Sequence, residues 1–187
     1  MVDVTLFKDT FKEIIDHLNH FFKSIDNDSI TTFAEYLKKT KRIYVVGIGK
    51  TGLIAKTFAL SMLSMGYEVF VVGESLMPAP RETDLVIAVS GSGETDYPIK
   101  TAQMAKKLGA KVVCITSNPT STLAQISDFT VVVPGRDPKK QSLSYVVLTA
   151  IGMHGTLEGM LFEIAALAFF DSIYAAFCEL NQRTKKE

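Results

Sequence analysis

The chain has 187 residues, 47% of them apolar and 10% aromatic, enough for one domain of ordinary size with a real core. Lys plus Arg and Asp plus Glu each total 20, so the formal charge is zero; no basic excess drives nucleic-acid binding, which rests mainly on phosphate neutralisation. Acids stand among the first residues with no small-residue cleavage site, and the longest uninterrupted apolar run, Ile164 to Phe170, is far short of the roughly 20 residues of a membrane span.

In chain order, residues 5–25 carry Leu6, Phe7, Phe11, Ile14, Ile15, Leu18, Phe21 and Phe22 at helical spacing. Asp26 to Ser29 offers an N-cap for a second helix ending near Lys39, so helices fill about 5–40. RIYVVGIG then reads as a strand, TGLIAKTFALSMLSMG as a helix closed by Gly66, and EVFVVG as a strand. ESLMPAPRET, with two prolines, reads as a loop near the strand ends. DLVIAVS is a strand, ETDYPIKTAQMAKKLG a helix, KVVCITS a strand, STLAQISD a short helix and FTVVVPG a fifth strand. From about 144 to 182 the chain is helical and apolar. Short Val/Ile-rich strands alternating with helices predict an α/β fold: a doubly wound, five-stranded parallel sheet covered on both faces, a three-layer sandwich.

Two cysteines in apolar elements, Cys114 and Cys178, point to a reducing, cytoplasmic setting rather than a disulfide framework. His17, His20 and His154 share no zinc-like spacing with cysteine, so no metal and no other cofactor is expected. His17 and His20 read as surface residues of the first helix. No partner nucleic acid or membrane is expected.

The loop GIGKTG lies between a strand and a helix. As a phosphate-binding P-loop it fails, because the first glycine position falls on Tyr44. As a dinucleotide fingerprint it fits, with Gly47, Gly49 and Gly52 in register and Glu74 at the tip of the second strand for a ribose hydroxyl. The plainer alternative is that these glycines let a helix pack close to the sheet. A third reading joins it to SGSGETD. In strand order 2-1-3-4-5 the first and third strands are neighbours at the switch point, where ligands bind. Ser90, Ser92 and Thr95 then donate hydroxyls, and amides freed by Gly91 and Gly93 join them at a helix start, a constellation suited to a phosphate monoester. Glu94 falls in that helix's first turn, with its side chain pointing out of the cup. The alternative is that the serines only cap the helix.

These two loops, with KVVCITSNPTSTLAQISD and its Ser117 and Thr122, resemble the SIS (sugar isomerase) domain of phosphosugar-binding proteins. The resemblance runs from about residue 29 to 180 within a single domain spanning 1–187. VVGESLMPA, AVSGSGETD and GMLFEIAALAFFD are most similar to 6-phospho-3-hexuloisomerase. The first loop departs from that family's Gly-Arg-Ser-Gly: Gly49-Lys50-Thr51-Gly52 resembles the arabinose 5-phosphate isomerase branch. A family histidine near the end of the following helix is matched by Ser64, and Leu157-Glu158-Gly159 replaces Pro-Met-Gly. The resemblance implies an isomerase converting 3-hexulose 6-phosphate and fructose 6-phosphate in the ribulose monophosphate pathway, in a homotetramer or dimer of dimers. Another phosphosugar isomerase, a non-catalytic phosphosugar sensor and a dinucleotide-binding protein are the alternatives.

Moving a carbonyl along a sugar needs a phosphate anchor, a base beside the carbonyl and a partner for the oxyanion. Glu163 matches the family's glutamate in an apolar helix start, where burial raises a carboxyl's pKa toward a useful range; a buried structural acid is its alternative. Glu158 is the rival base. His154 is a candidate proton shuttle or a solvated histidine, Lys50 a ligand for phosphate or hydroxyls or an exposed lysine, and Glu74 a hydroxyl binder. The phenylalanines of the first and last helices are candidates for subunit contacts or for the core.

Overall fold

The computed structural model of the chain describes residues 3–135 and 157–184. The elements are α1 (Val4–Ser24), α2 (Asn27–Lys39), β1 (Arg42–Val46), α3 (Lys50–Ser64), β2 (Glu68–Val71), β3 (Leu85–Val89), α4 (Asp96–Lys107), β4 (Lys111–Thr116), α5 (Thr122–Ile126), β5 (Phe129–Val132) and α6 (Leu157–Thr184). The five strands make one parallel sheet in the order β2-β1-β3-β4-β5, the expected doubly wound arrangement.

Alternate strand residues feed two cores, as the pleat requires. Ile43, Val45, Ile87, Val89, Ile115 and Val131 pack under α1, α2, α3 and α6. Tyr44, Val46, Val86, Ala88 and Cys114 pack under α4 and α5. Because the crossovers change faces between β1 and β3, the loops after these two strands diverge and leave a crevice between them.

The connection at 72–84 contains no helix. It does not stay near the strand ends as expected. It carries the chain from the top of β2 to the bottom of β3, with Met77 half-buried against the second core. Its last residue, Asp84, is buried and takes a bidentate bond from Arg42: Nε to Oδ1 at 3.1 Å and Nη2 to Oδ2 at 2.5 Å. The Arg81 amide donates to the same carboxylate at 2.7 Å. This clamp joins β1 to β3 at the end of the sheet opposite the loops.

Helix α1 divides its phenylalanines. Phe21 is buried, whereas Phe7, Phe11 and Phe22 are exposed together with Val4 and Ile15. These five positions share one stripe of the helix. His17 is not the surface residue expected: its Nε2–H donates to the Pro134 carbonyl at 3.2 Å, tying α1 to the end of β5.

The phenylalanines of α6 go into the chain's own core. Phe162, Phe169, Phe170 and Phe177 are buried, and Phe170 stacks on Phe58 of α3 with ring centroids 4.2 Å apart. Taken as a helix rather than as an uninterrupted run, Met160–Leu180 is long and apolar enough to cross a membrane by length and composition. Half of it is buried within this fold, because it packs on α3 and α1 as the central helix of one layer.

Candidate functional site

The first loop is set by two glycines in contact. A Cβ on Gly47 would lie 2.8 Å from the Gly52 nitrogen, and one on Gly52 would lie 2.8 Å from the Gly47 carbonyl oxygen. Both atoms are backbone, so neither can move aside. Gly49 holds φ at 64° just before α3, a conformation that glycine adopts without strain. The Thr51 hydroxyl closes the turn by donating to the Ile48 carbonyl at 2.9 Å.

Register places the second loop beside it. Val46 pairs with Ala88, so the chain leaves β1 and β3 at the same level. Ser90 is buried; its Oγ accepts from the Gly93 amide at 3.1 Å and shares a hydrogen bond with Thr95 Oγ1 at 3.0 Å. Ser92 Oγ accepts from the Glu94 amide at 3.2 Å. The hydroxyls therefore shape the loop, and Ser92 and Thr95 stand on its more open side. Thr95 is the N-cap of α4 but makes no side-chain cap bond, which leaves first-turn amides of that helix for an anion.

A brace from the β4–α5 connection holds this loop. Thr116 Oγ1 donates to the Gly91 carbonyl at 3.2 Å, and the Ser117 amide to the same oxygen at 3.0 Å. Gly93, at φ 69°, lies so close to the Ser121 side chain that a Cβ there would collide with it. Glu94 does not sit in the first turn of α4, which begins two residues later. Its Oε1 accepts from the Thr122 amide at 2.9 Å, so the acid serves the N-terminus of α5 instead, where a carboxylate offsets the helix dipole.

The carboxyl of Glu163 arrives from α6. It is only 7% exposed, and its Oε2 lies 3.5 Å from Lys50 Nζ at the start of α3. Stacking of Phe170 on Phe58 fixes α6 against α3, and Gly135 presses on the Phe162 backbone so closely that no Cβ fits. The His17 bond to Pro134 supports that same segment.

The sequence candidates thus fall into three groups. Gly49, Lys50, Ser90, Gly91, Ser92, Gly93 and Thr95 belong to the loops and helix starts after β1 and β3, and Glu163 meets Lys50. Glu74 stands apart. It pairs with Lys56 Nζ at 3.2 Å, and Lys56 is six positions from Lys50, about 240° around α3. Its neighbours line a separate pocket of about 290 Å³ with Val45, Gly47, Ile48, Ala55, Val71 and Tyr97. His154 lies outside the described residues, and Glu158 falls within α6.

Ser64 is at the other end of α3, about 21 Å of helix from Lys50, bonded to the Ser61 carbonyl at 2.7 Å and to Tyr174 Oη at 3.1 Å. Within this chain it is not part of the site. Among the described residues no group of His, Cys, Asp or Glu is arranged to hold a metal. Sequence reasoning missed Thr116, Ser121 and Tyr97, whose roles arise from elements that meet only in the fold. It also missed the pairing of Lys50 with Glu163.

A doubly wound sheet with two glycine loops opening on its switch point is the build of a small-ligand-binding α/β domain. The SIS domain model matches residues 36–161, and the chain belongs to that family. The 3-hexulose-6-phosphate isomerase of Bacillus subtilis is 36% identical over 169 residues, covering 89% of this chain and 86% of its own. A crystal structure of a Methanococcus jannaschii protein, described as inferring a 3-hexulose-6-phosphate isomerase function, superposes with a TM-score of 0.71 at 25% identity, covering 92% and 90% of the two chains. A hypothetical protein of known structure gives a TM-score of 0.80 at 28% identity over 94% and 90%.

Proposed function

We propose that the protein is a phosphosugar isomerase interconverting 3-hexulose 6-phosphate and fructose 6-phosphate, with Glu163 as the base. The observation that carries this reading is the buried Glu163 carboxylate beside Lys50, the first residue of the helix that follows the β1 glycine loop. The relatives named for that reaction support the choice of sugar.

The phosphate docks on Ser92, Thr95 and the open N-terminus of α4, with the backbone of Gly91 and Gly93 close to it. Gly49 lets the first loop approach the sugar. Glu163 takes the proton from C2 of the 3-ketose, and the C2–H electron pair forms the C2–C3 double bond of a cis-enediolate while the C3 carbonyl oxygen gains the charge. The Lys50 ammonium faces that oxyanion, the electrostatic help such an intermediate needs. The Glu163 carboxyl then returns the proton to C3 on the same face. The O2 proton passes to O3, leaving the carbonyl at C2, and His154 is the proposed carrier. No redox partner enters, since the electron pair moves within one molecule.

Purified protein supplied with 3-hexulose 6-phosphate is expected to release fructose 6-phosphate, read by a coupled dehydrogenase assay. Absence of turnover on this and on arabinose 5-phosphate, with tight phosphosugar binding in calorimetry, would reject the enzyme and leave a sensor. Stabilisation by NADH alone would reject both.

The exposed stripe of α1, with Phe22 at 79% exposure, is the proposed contact between copies of the chain in a homotetramer or dimer of dimers, because contiguous apolar surface of this kind marks interaction sites. Light scattering that reads a monomer removes this part.

A further inference from the structure

The GIGKTG loop fits a dinucleotide fingerprint of which the isomerase reading uses Gly49 but neither Gly47 nor Gly52, and these two line a pocket whose walls do not include Glu163. We infer that the pocket between the ends of β1 and β2 is a second binding site, for a nucleoside.

Its walls are unequal. Val45, Ala55, Val71 and Val72 supply its apolar lining, and Tyr97 joins them from the first turn of α4. The Tyr97 hydroxyl sits above Gly73, where a Cβ would come within 2.8 Å of it; φ at Gly73 is 103°. Charge is confined to one side, where Glu74 Oε1 lies 3.2 Å from Lys56 Nζ and both side chains are more than half exposed. A free sugar, with hydroxyls all round, would leave several of them unpaired against the valines, at a cost for each buried polar group. A nucleoside divides as the pocket does. Its flat base buries against this lining and the Tyr97 ring, and its ribose diol donates to Glu74 at the tip of β2, where an acid suits a ribose hydroxyl. Lys56 keeps the other carboxylate oxygen. The face-to-face contact of Gly47 and Gly52 leaves their part of the lining without side chains. At about 290 Å³ the pocket is at the small end of ligand sites, about 300–1,000 Å³, room for one nucleoside and not for a dinucleotide.

This inference does not rest on the isomerase reading. Its test is titration of methyl-labelled protein with adenosine, free ribose and fructose 6-phosphate, followed by NMR. Adenosine is expected to shift the methyls of Ala55, Val71 and Val72, with free ribose at least tenfold weaker. Glu74→Gln and Tyr97→Leu are each expected to weaken adenosine binding at least tenfold while leaving the remaining methyl spectrum in place. Fructose 6-phosphate moving the same methyls, ribose matching adenosine, unchanged affinity in Glu74→Gln, or no shift with millimolar adenosine would each overturn it.

Discussion

Helix α3 carries two lysine–glutamate pairs that look alike in sequence and differ in physics. Lys56 and Glu74 are closer, at 3.2 Å, but both are mostly in water. Lys50 and Glu163 are farther apart, at 3.5 Å, yet the carboxylate side chain is 8% exposed and the lysine 37%. Distance does not rank the two. Surrounding water screens the first pair, leaving about 0–1 kcal/mol, whereas the low-dielectric setting of the second strengthens its field and makes its acid costly to leave without a cation. The shorter bridge therefore sits in water, and the longer one where its charges are poorly screened.

The comparison is broken most decisively at Glu163. Glu163→Gln keeps the shape and removes the base, so turnover of 3-hexulose 6-phosphate should fall about 10³-fold with the thermal midpoint little changed; a loss under tenfold would end the proposed role. Next comes the clamp at the other end of the sheet. Asp84→Ala leaves the part-buried Arg42 guanidinium without its carboxylate, and urea unfolding should show a cost of about 3 kcal/mol.

The clamp also has a pH signature. Burial alone would raise the Asp84 pKa, but the Arg42 hydrogen bonds and the Arg81 amide outweigh it and hold the carboxyl below its ordinary value. With the folded pKa below the unfolded one, this stabilisation is complete above the unfolded value of about 3.9 and disappears as pH falls through the folded value. The gap in urea midpoint between wild type and Asp84→Asn should accordingly close below about pH 4.

Smaller effects sharpen the picture. Gly93→Ala puts a Cβ into Ser121 at a left-handed φ, and should cost about 2 kcal/mol together with phosphosugar affinity measured by calorimetry. Lys50→Met should destabilise by about 1 kcal/mol, since the lysine is partly solvated, while lowering kcat more than it raises KM. Glu74→Gln should change stability by less than about 0.5 kcal/mol and leave turnover intact. Equal losses at Lys50 and Glu74 would show that the two pairs are not different in kind.

Much of this was legible in the residues. The Val/Ile runs of β1, β3 and β4 announce strands buried on both faces, and Gly66 and Gly109 mark where helices stop. The loops were readable too, because glycine spacing after a strand is a local constraint. Glu94 was misread, since its partner at Thr122 belongs to another helix. So was His17, whose acceptor at Pro134 lies just past the end of β5. The phenylalanines of α1 and α6 carry the same pattern, yet α6 is consumed by the core and α1 keeps an exposed stripe.

By itself, then, the sequence determined the alternation of strands and helices, the parallel sheet and the two glycine turns, because each depends on periodicity or backbone freedom within a few residues. Only the tertiary structure decided that Lys50 meets Glu163 and Lys56 meets Glu74, that Tyr97 lines a pocket at the ends of β1 and β2, and which aromatic faces stay in solvent. Those outcomes depend on the packing of elements distant in the chain, and on how much water their meeting excludes.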